Sequence, residues 1–334
     1  MSFIKSFQNI SKHDVSIAGG KGASLGEMLN AGIPVPPGFV ILASAFDRFL
    51  EETDLNVEIK ARLKEVKIDD TNSIEKASVV IRDAIHDHTM PEDLQKEILG
   101  AYDALTTSPC PSPSEGEGAL VAVRSSATAE DSSVASWAGE LETYLNTTRE
   151  QVIDRVKDCW SSLFTPRAIF YRHEKNLVDH DVSVAVVIQK MVQSHISGIA
   201  FTVHPVTEDP DQMIIEAGYG LGEAIVSGQI TPDSYVVSKS TMEILDINVG
   251  NQSKMLKKDG GAGRDLPVQN VWVDLNDEIG NKQKLTGRKI IEVAQMCKKI
   301  EVHYGFPCDI EWAMDGTGEL FITQSRPITT LKKK

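Results

Sequence analysis

Apolar residues recur at three- and four-residue spacing over Val57–Val66, Ile74–His86 and Pro91–Leu105, which predicts three helices, the last opened by Pro91 and Asp93. Gly22–Asn30 predicts a shorter helix, closed by Gly32 and the extended turn of Pro34, Pro36 and Pro37. Ser44–Leu50 predicts another, capped by Ser44. Thr106–Gly118 is rich in Pro, Ser, Gly and Glu and reads as an exposed loop. After it, Leu120–Val123 is a strand that runs into the polar segment Arg124–Ser136, and Gln151–Leu163 and Pro166–His173 are helical. From Ser183 the pattern turns to strands: Val184–Met191, Gly198–Val203, Met213–Glu216, Ser234–Val237 and Ile244–Val249. A long helix, Leu285–His303, precedes two final strands. There is no internal repeat. Helices and strands mix without βαβ alternation, so the fold class is α+β, in subdomains.

Composition narrows this picture. At 334 residues the chain is long enough for two or three domains or subdomains, and its apolar and charged fractions are those of a soluble globular protein. No apolar run reaches the length of a membrane span, and the N-terminus shows no signal-peptide core, so a cytoplasmic protein with no membrane partner is expected. A net charge of −14 argues against a nucleic-acid binder but not against a nucleotide enzyme, in which a few convergent cations act at short range. Cys110, Cys159, Cys297 and Cys308 are scattered without a CxxC pair, and read as free thiols.

Five segments carry candidate chemistry. At the end of the chain, Asp309-Ile310-Glu311-Trp312 and Thr323-Gln324-Ser325-Arg326-Pro327 bring a carboxylate, a carboxamide and a guanidinium onto short apolar runs. Glu and Gln oxygens suit Mg²⁺ and Arg suits phosphate, although a hairpin with one solvated face would show the same residues. Gly19-Gly20-Lys21-Gly22 precedes a helix and is either an anion-cradling turn with a point charge or a structural glycine turn; it lacks the Walker spacing. Arg124, at the end of its strand and followed by small hydroxylic residues, is either a phosphate grip or a surface Arg near a helix cap. Gln189 is a carboxamide within an apolar strand, whose partner is an adenine edge or another core group. Glu216-Ala217-Gly218-Tyr219-Gly220-Leu221-Gly222-Glu223 departs from the dinucleotide fingerprint and reads as a flexible turn over a nucleotide, with Glu216 or Glu223 facing a ribose hydroxyl.

Taken in order, these segments resemble the ATP-binding domain of the phosphoenolpyruvate synthase and pyruvate phosphate dikinase family, to which rifampin phosphotransferase is also related. The matches are Gly-Gly-Lys-Gly-Ala-Ser-Leu-Gly-Glu-Met from Gly19, Val-Pro-Pro-Gly-Phe from Val35 and Val-Arg-Ser-Ser-Ala from Val123. They continue with Ala-Gly-x-x-Glu-Thr-Tyr-Leu-Asn from Ala138, Gly-Leu-Gly-Glu from Gly220 and Thr-Gln-Ser-Arg-Pro from Thr323, so the likeness runs from Gly19 to Thr329. The resemblance implies an ATP-grasp fold in which two subdomains, 1–190 with a helical insert at about 50–118 and 191–334, close on Mg·ATP. It makes Lys21 and Arg124 phosphate contacts, puts Gly139 and Thr143 on the phosphate-facing loop, and puts Gln189 near the adenine. Glu311 and Gln324 would hold Mg²⁺, and Arg326 would stabilise the γ-phosphate. Family chemistry passes the β-phosphoryl to a histidine on a mobile carrier domain and leaves AMP and phosphate.

Two departures stand out. Glu140-Leu141 occupies a place where paired glutamines are usual, and Trp137 one where Phe is common. No Thr-Ser-His-Ala segment surrounds any of the eight histidines; His195 and His204 read as loop residues, and the substrate barrel is absent too. The expected partner is therefore a phosphohistidine carrier domain or subunit, with pyruvate, phenol or another small molecule as final acceptor. The chain is either an excised domain or a separate subunit, as in the split phenylphosphate synthase; a start at Met and an end just past the last motif lean towards the subunit. The competing functions are a non-catalytic nucleotide-binding regulatory module and, from the 218–222 glycines alone, a nicotinamide enzyme.

Overall fold

The computed structural model describes residues 2–107, 120–128, 142–174, 183–259, 269–329 and 331. Chain contacts divide it into two units, 1–27 with 37–191 and 28–36 with 192–334. Both are mixtures of helices and antiparallel sheet, the α+β class that the sequence pattern predicts.

In the first unit the order is β1 (Ile4–Ser6), α1 (Val15–Asn30), β2 (Gly38–Ile41), α2 (Ala43–Glu52), α3 (Leu55–Glu65), α4 (Thr71–Asp87) and α5 (Glu92–Thr107). It continues with β3 (Val121–Ala127), β4 (Thr143–Thr147), α6 (Val152–Ser161), α7 (Pro166–Glu174) and β5 (Val184–Lys190). The sheet runs β1-β2-β5-β3-β4, every pairing antiparallel. Alternation along β3 and β5 sends Val121, Val123, Val184, Val186 and Ile188 to one face, where they pack with residues of α2, α5 and α6 in a single core. Trp160 anchors that core, its ring 5.1 Å from Phe49 and 5.4 Å from Phe46.

The second unit contains β6 (Ser194–Phe201), β7 (Gln212–Tyr219), α8 (Glu223–Val226), β8 (Asp233–Ser238), β9 (Ile244–Asn248), β10 (Lys254–Lys258) and β11 (Asn270–Asp274). After these come α9 (Asp277–Gly280), α10 (Gly287–Tyr304), β12 (Cys308–Asp315) and β13 (Leu320–Pro327). Its main sheet is β13-β12-β6-β7-β8-β9, with β10 and β11 as a separate ribbon. Met28–Pro36 belongs here because Pro34 accepts from the backbone of Ile322. α10 packs on the sheet through Ile290, Val293, Ala294, Cys297 and Ile300, all fully buried.

Local chemistry moves several expected boundaries. The helix expected from Gly22 begins at Val15 and is broken at Gly19, whose φ is +69°. Ser44 is not a cap: α2 starts at Ala43, behind Leu42, which gives no side-chain cap bond. The strand expected to stop at Val123 continues to Ala127, because β5 pairs along its whole length. His195 lies in β6 rather than in a loop. No helix among the described residues is long and apolar enough to cross a membrane. Cys110, most of the loop expected at 106–118, Gly139, Trp137 and Glu140-Leu141 lie outside the described residues.

Candidate functional site

In the first unit Arg124 sits in mid-strand, not at a strand end. It faces Thr143 across β4 and Val187 across β5, and Gln189 lies two residues further along the same face. The continuation of β3 puts Ala122, Arg124 and Ser126 on this face, opposite the apolar core. Arg124 Nη1 donates to Gln189 Oε1 at 3.5 Å. Both side chains are buried, 7% and 3% exposed. The carboxamide's other end, Nε2, is buried with no hydrogen-bond partner among the described residues. A buried N–H without an acceptor costs roughly 1–3 kcal/mol, so such a group in a native fold calls for an explanation, and an acceptor on a ligand is one.

The glycine turn that contains Lys21 packs on β3 through Ser126. The Ser126 hydroxyl donates to the carbonyl of Ala18 at 3.0 Å and accepts from the amide of Gly22 at 3.3 Å. Glycine is required at position 19: its φ is positive, and a Cβ there would lie 2.2 Å from Ser126 Oγ and 2.3 Å from the Ser126 carbonyl oxygen. The glycine turn is thus a seat for α1 on β3, with the Gly22 amide used inside the protein. Thr143 is exposed, directly opposite Arg124.

In the second unit the register assembles a polar row. Gln324 faces Glu311, Glu311 faces Ile199, Ile199 faces Glu216, and Glu216 faces Ser234. The adjacent row of the same face runs Arg326, Asp309, Phe201, Ile214. The opposite face carries Cys308, Ile310, Ala200, Ile215 and Tyr235, all fully buried. Arg326 donates from Nε at 2.8 Å to Asp309 Oδ2, and its Nη2 lies 2.7 Å from the same oxygen. Burial raises the Asp309 carboxyl above its ordinary range; Arg326 opposes that rise and Glu311 adds to it. Burial, then the Asp309 charge, raises Glu216. Asp309 was legible as the partner of Arg326 only through its i, i+2 spacing from Glu311 on one strand.

The segment expected to be a flexible turn is held on every side. Glu216 is inside β7, not in the turn. Gln252 accepts from the Tyr219 amide at 2.8 Å and donates to the Tyr219 and Lys254 carbonyls at 2.9 and 3.0 Å. The Gly220 carbonyl accepts from Ser194 and Ser197, and its amide bonds the His195 carbonyl. Beneath the turn lies a fully buried ion pair, Lys284 to Asp233 at 2.9 Å. Asp233 also accepts from Tyr235 and from the amides of Gly250 and Lys284, and the Lys284 ammonium donates to the carbonyls of Gly250 and Gly280. Burial alone raises the Glu223 carboxyl.

The donor sets can be tested against Mg·ATP. Glu311 and Gln324 are direct cross-strand partners, whose Cβ atoms lie about 5 Å apart in such a pair. Among the described residues no three His, Cys, Asp or Glu side chains form a cage for a metal ion. One carboxylate and one carboxamide are what Mg²⁺ uses when phosphate oxygens and water complete its shell, so the second unit fits a metal that arrives with a polyphosphate.

Comparison with known proteins settles the family. Residues 15–334 match the family described as pyruvate phosphate dikinase, AMP/ATP-binding domain. The chain belongs to this family. Among curated relatives, it is 46% identical over 334 residues to a probable phosphoenolpyruvate synthase of Methanocaldococcus jannaschii, covering 100% of this chain and 27% of that protein. It is 43% identical to a probable phosphoenolpyruvate synthase of Methanothermobacter thermautotrophicus, covering 99% of this chain and 46% of that one. The phosphoenolpyruvate synthase of Pyrococcus furiosus is 42% identical, with 99% of this chain and 44% of that protein covered. The chain therefore spans between about a quarter and a half of the length of these relatives. Among solved structures, D-alanyl-alanine synthetase A of Vibrio cholerae aligns over 75% of this chain and 54% of its own at 10% identity, with a TM-score of 0.28, too low to bear on the fold.

Proposed function

We propose that this member of the dikinase ATP-binding family binds Mg·ATP in an ATP-grasp arrangement. It delivers the β-phosphoryl group to a histidine on a separate carrier domain or subunit, leaving AMP, while water takes the γ-phosphoryl and releases it as inorganic phosphate. The observation that carries this is the Arg124–Gln189 pair. A guanidinium and a carboxamide are buried together on the sheet face opposite the apolar core, and the carboxamide N–H has no acceptor among the described residues. A purine edge supplies such an acceptor, and a phosphate suits the guanidinium.

In this reading Lys21, Arg124 and Thr143 hold phosphate oxygens, Gly139 lies on the loop facing them, Gln189 reads the base, and Glu216 faces the ribose. Glu311 and Gln324 would hold Mg²⁺, which would supply positive charge against that of the phosphates. Arg326 stabilises the γ-phosphoryl; in this structure its guanidinium is oriented by Asp309, which fixes the fork in advance. The names of the relatives favour a pyruvate-type final acceptor over phenol.

The test is incubation of the chain with Mg·ATP and a phosphohistidine carrier protein from one of these relatives. The expected outcome is AMP and phosphate only when the carrier is present, with the carrier phosphorylated. Arg326→Ala abolishes that transfer and leaves nucleotide affinity within about twofold, as for a group acting only in the transition state. Normal turnover by Arg326→Ala overturns the assignment. Nucleotide binding without turnover beside a demonstrably competent carrier makes the chain a regulatory module instead.

A further inference from the structure

The three residues Glu142-Thr143-Tyr144 divide between the two faces of the first sheet. Thr143 lies opposite Arg124, on the polar face. Tyr144 lies opposite Val123, on the core face, where it packs against the hydrophobic cluster. The main chain at Glu142 is fixed from within the sheet: its carbonyl accepts from the Ser125 amide at 3.1 Å and from the Ser125 hydroxyl at 2.9 Å. Its carboxylate is fixed from the helical layer. Oε2 accepts the Tyr144 hydroxyl, and Oε1 lies 3.4 Å from Arg82 Nη2 on α4. Arg155, on α6, lays its guanidinium over the Tyr144 ring at 4.8 Å. Two helices thus grip the side chains on either side of Thr143.

None of these four groups lies on the polar face. Glu142 and Tyr144 fall in a motif whose expected phosphate-facing residues are Gly139 and Thr143, and Arg82 and Arg155 fall in no motif. A single carboxylate tied to one cation and one phenol would be a minor surface feature anywhere else, since an exposed ion pair contributes little stability. Its placement gives it a different consequence. A β-strand flanked by residues anchored in the opposite direction cannot rotate, so the side chain between them keeps its direction without the ligand's help.

We infer that Arg82, Glu142, Tyr144 and Arg155 are positioning residues, a clamp from the helical layer that presents Thr143 to the phosphates of the nucleotide. The inference rests on Arg124 and Thr143 being phosphate contacts. It makes the helices α4 and α6 part of the binding machinery and predicts a selective effect. Loosening the clamp weakens contacts to phosphate and leaves contacts to the base alone.

The experiment measures affinities of the full chain for Mg·ATP and for adenosine by calorimetry, with thermal melting in parallel. Tyr144→Phe removes the phenol donor and keeps the ring. Arg82→Gln removes the partly exposed cation and leaves the core untouched, so it serves if Tyr144→Phe fails to fold. Each variant is expected to raise the Kd for Mg·ATP about five- to tenfold, the size of one lost hydrogen bond, and to move the adenosine Kd by less than about twofold. In the double variant the two effects should fall well short of multiplying, because both act through Glu142. If wild type binds both ligands and either folded variant weakens them equally, or neither, the clamp is purely structural and the inference fails. If wild type binds adenosine and ATP with the same affinity, the phosphate-contact reading fails and takes the clamp with it.

Discussion

Each sheet has one face given to the core and one face carrying polar groups, and the two polar faces differ in sign and in burial. On the first sheet the central groups are a guanidinium and a carboxamide, both more than nine-tenths buried. On the second they are the carboxylates Glu216, Asp309 and Glu311, half-buried and mutually repelling, with one arginine, Arg326, leaning on Asp309. A buried cation beside a neutral amide attracts an anion, and crowded carboxylates attract a cation. In the proposed function, the first face serves the polyphosphate and the second the metal.

The units also differ in what anchors them, and that difference can be broken with the largest effects. The first is built around Trp160 between Phe46 and Phe49, the second around the Asp233–Lys284 ion pair. Trp160→Ala should cost about 3–5 kcal/mol, read as a lowered midpoint in urea unfolding. Lys284→Ala should cost a similar amount, about 3–5 kcal/mol, by leaving the Asp233 charge buried without its counter-ion. The two are separated by a second change. Asp233→Asn with Lys284→Met removes both charges and should recover much of the loss, whereas no partner substitution can refill the space left by Trp160. A double variant as unstable as Lys284→Ala would show that hydrogen bonding, not charge balance, holds the second unit.

Binding sharpens the comparison within the first sheet. Arg124→Gln should raise the Kd for ATP by roughly 10- to 100-fold, the range of a charge-assisted hydrogen bond, and barely change that for adenosine. Gln189→Leu should weaken ATP and adenosine alike by about tenfold, since the contact proposed for Gln189 is to the base. Equal effects of Arg124→Gln on both ligands would remove the phosphate role.

Much of the site was legible because polar residues interrupt apolar strands: Gln189, Glu311, Gln324 and Arg326 stand out in that way. Pairing decided the rest. The continuation of β3 past Val123 depends on β5, some sixty residues away, and no local pattern in Arg-Ser-Ser-Ala shows it. The Gly19–Gly22 turn looks like an anion cradle because the glycines needed for close packing on Ser126 are the same residue type that a phosphate loop needs. The 216–223 segment looks flexible by composition. It is rigid because Gln252, Ser194 and Ser197 reach it from other elements.

The smallest effect tests the sign of the second face. The Glu216 carboxyl is raised above its ordinary 4.5 by burial, then by Asp309, so between 4.5 and its raised value the folded chain binds more protons than the unfolded one. Stability therefore falls as pH rises through that window and stays at the lower level above it. Glu216→Gln should melt higher than wild type at pH 7, and the difference should close as pH falls to 4.5. Asp14 in the first unit has the opposite sign. Its carboxyl is lowered from 3.8, chiefly by the hydrogen bond from the Ser11 amide, so its contribution is present above 3.8 and lost as pH falls through its lowered value. Asp14→Asn should melt lower than wild type at pH 7, with the gap narrowing in acid. A Glu216→Gln variant that melts lower than wild type at pH 7, as Asp14→Asn should, would show that Glu216 is held by a partner, not strained by its neighbours, and the acidic face would lose its pull on a cation.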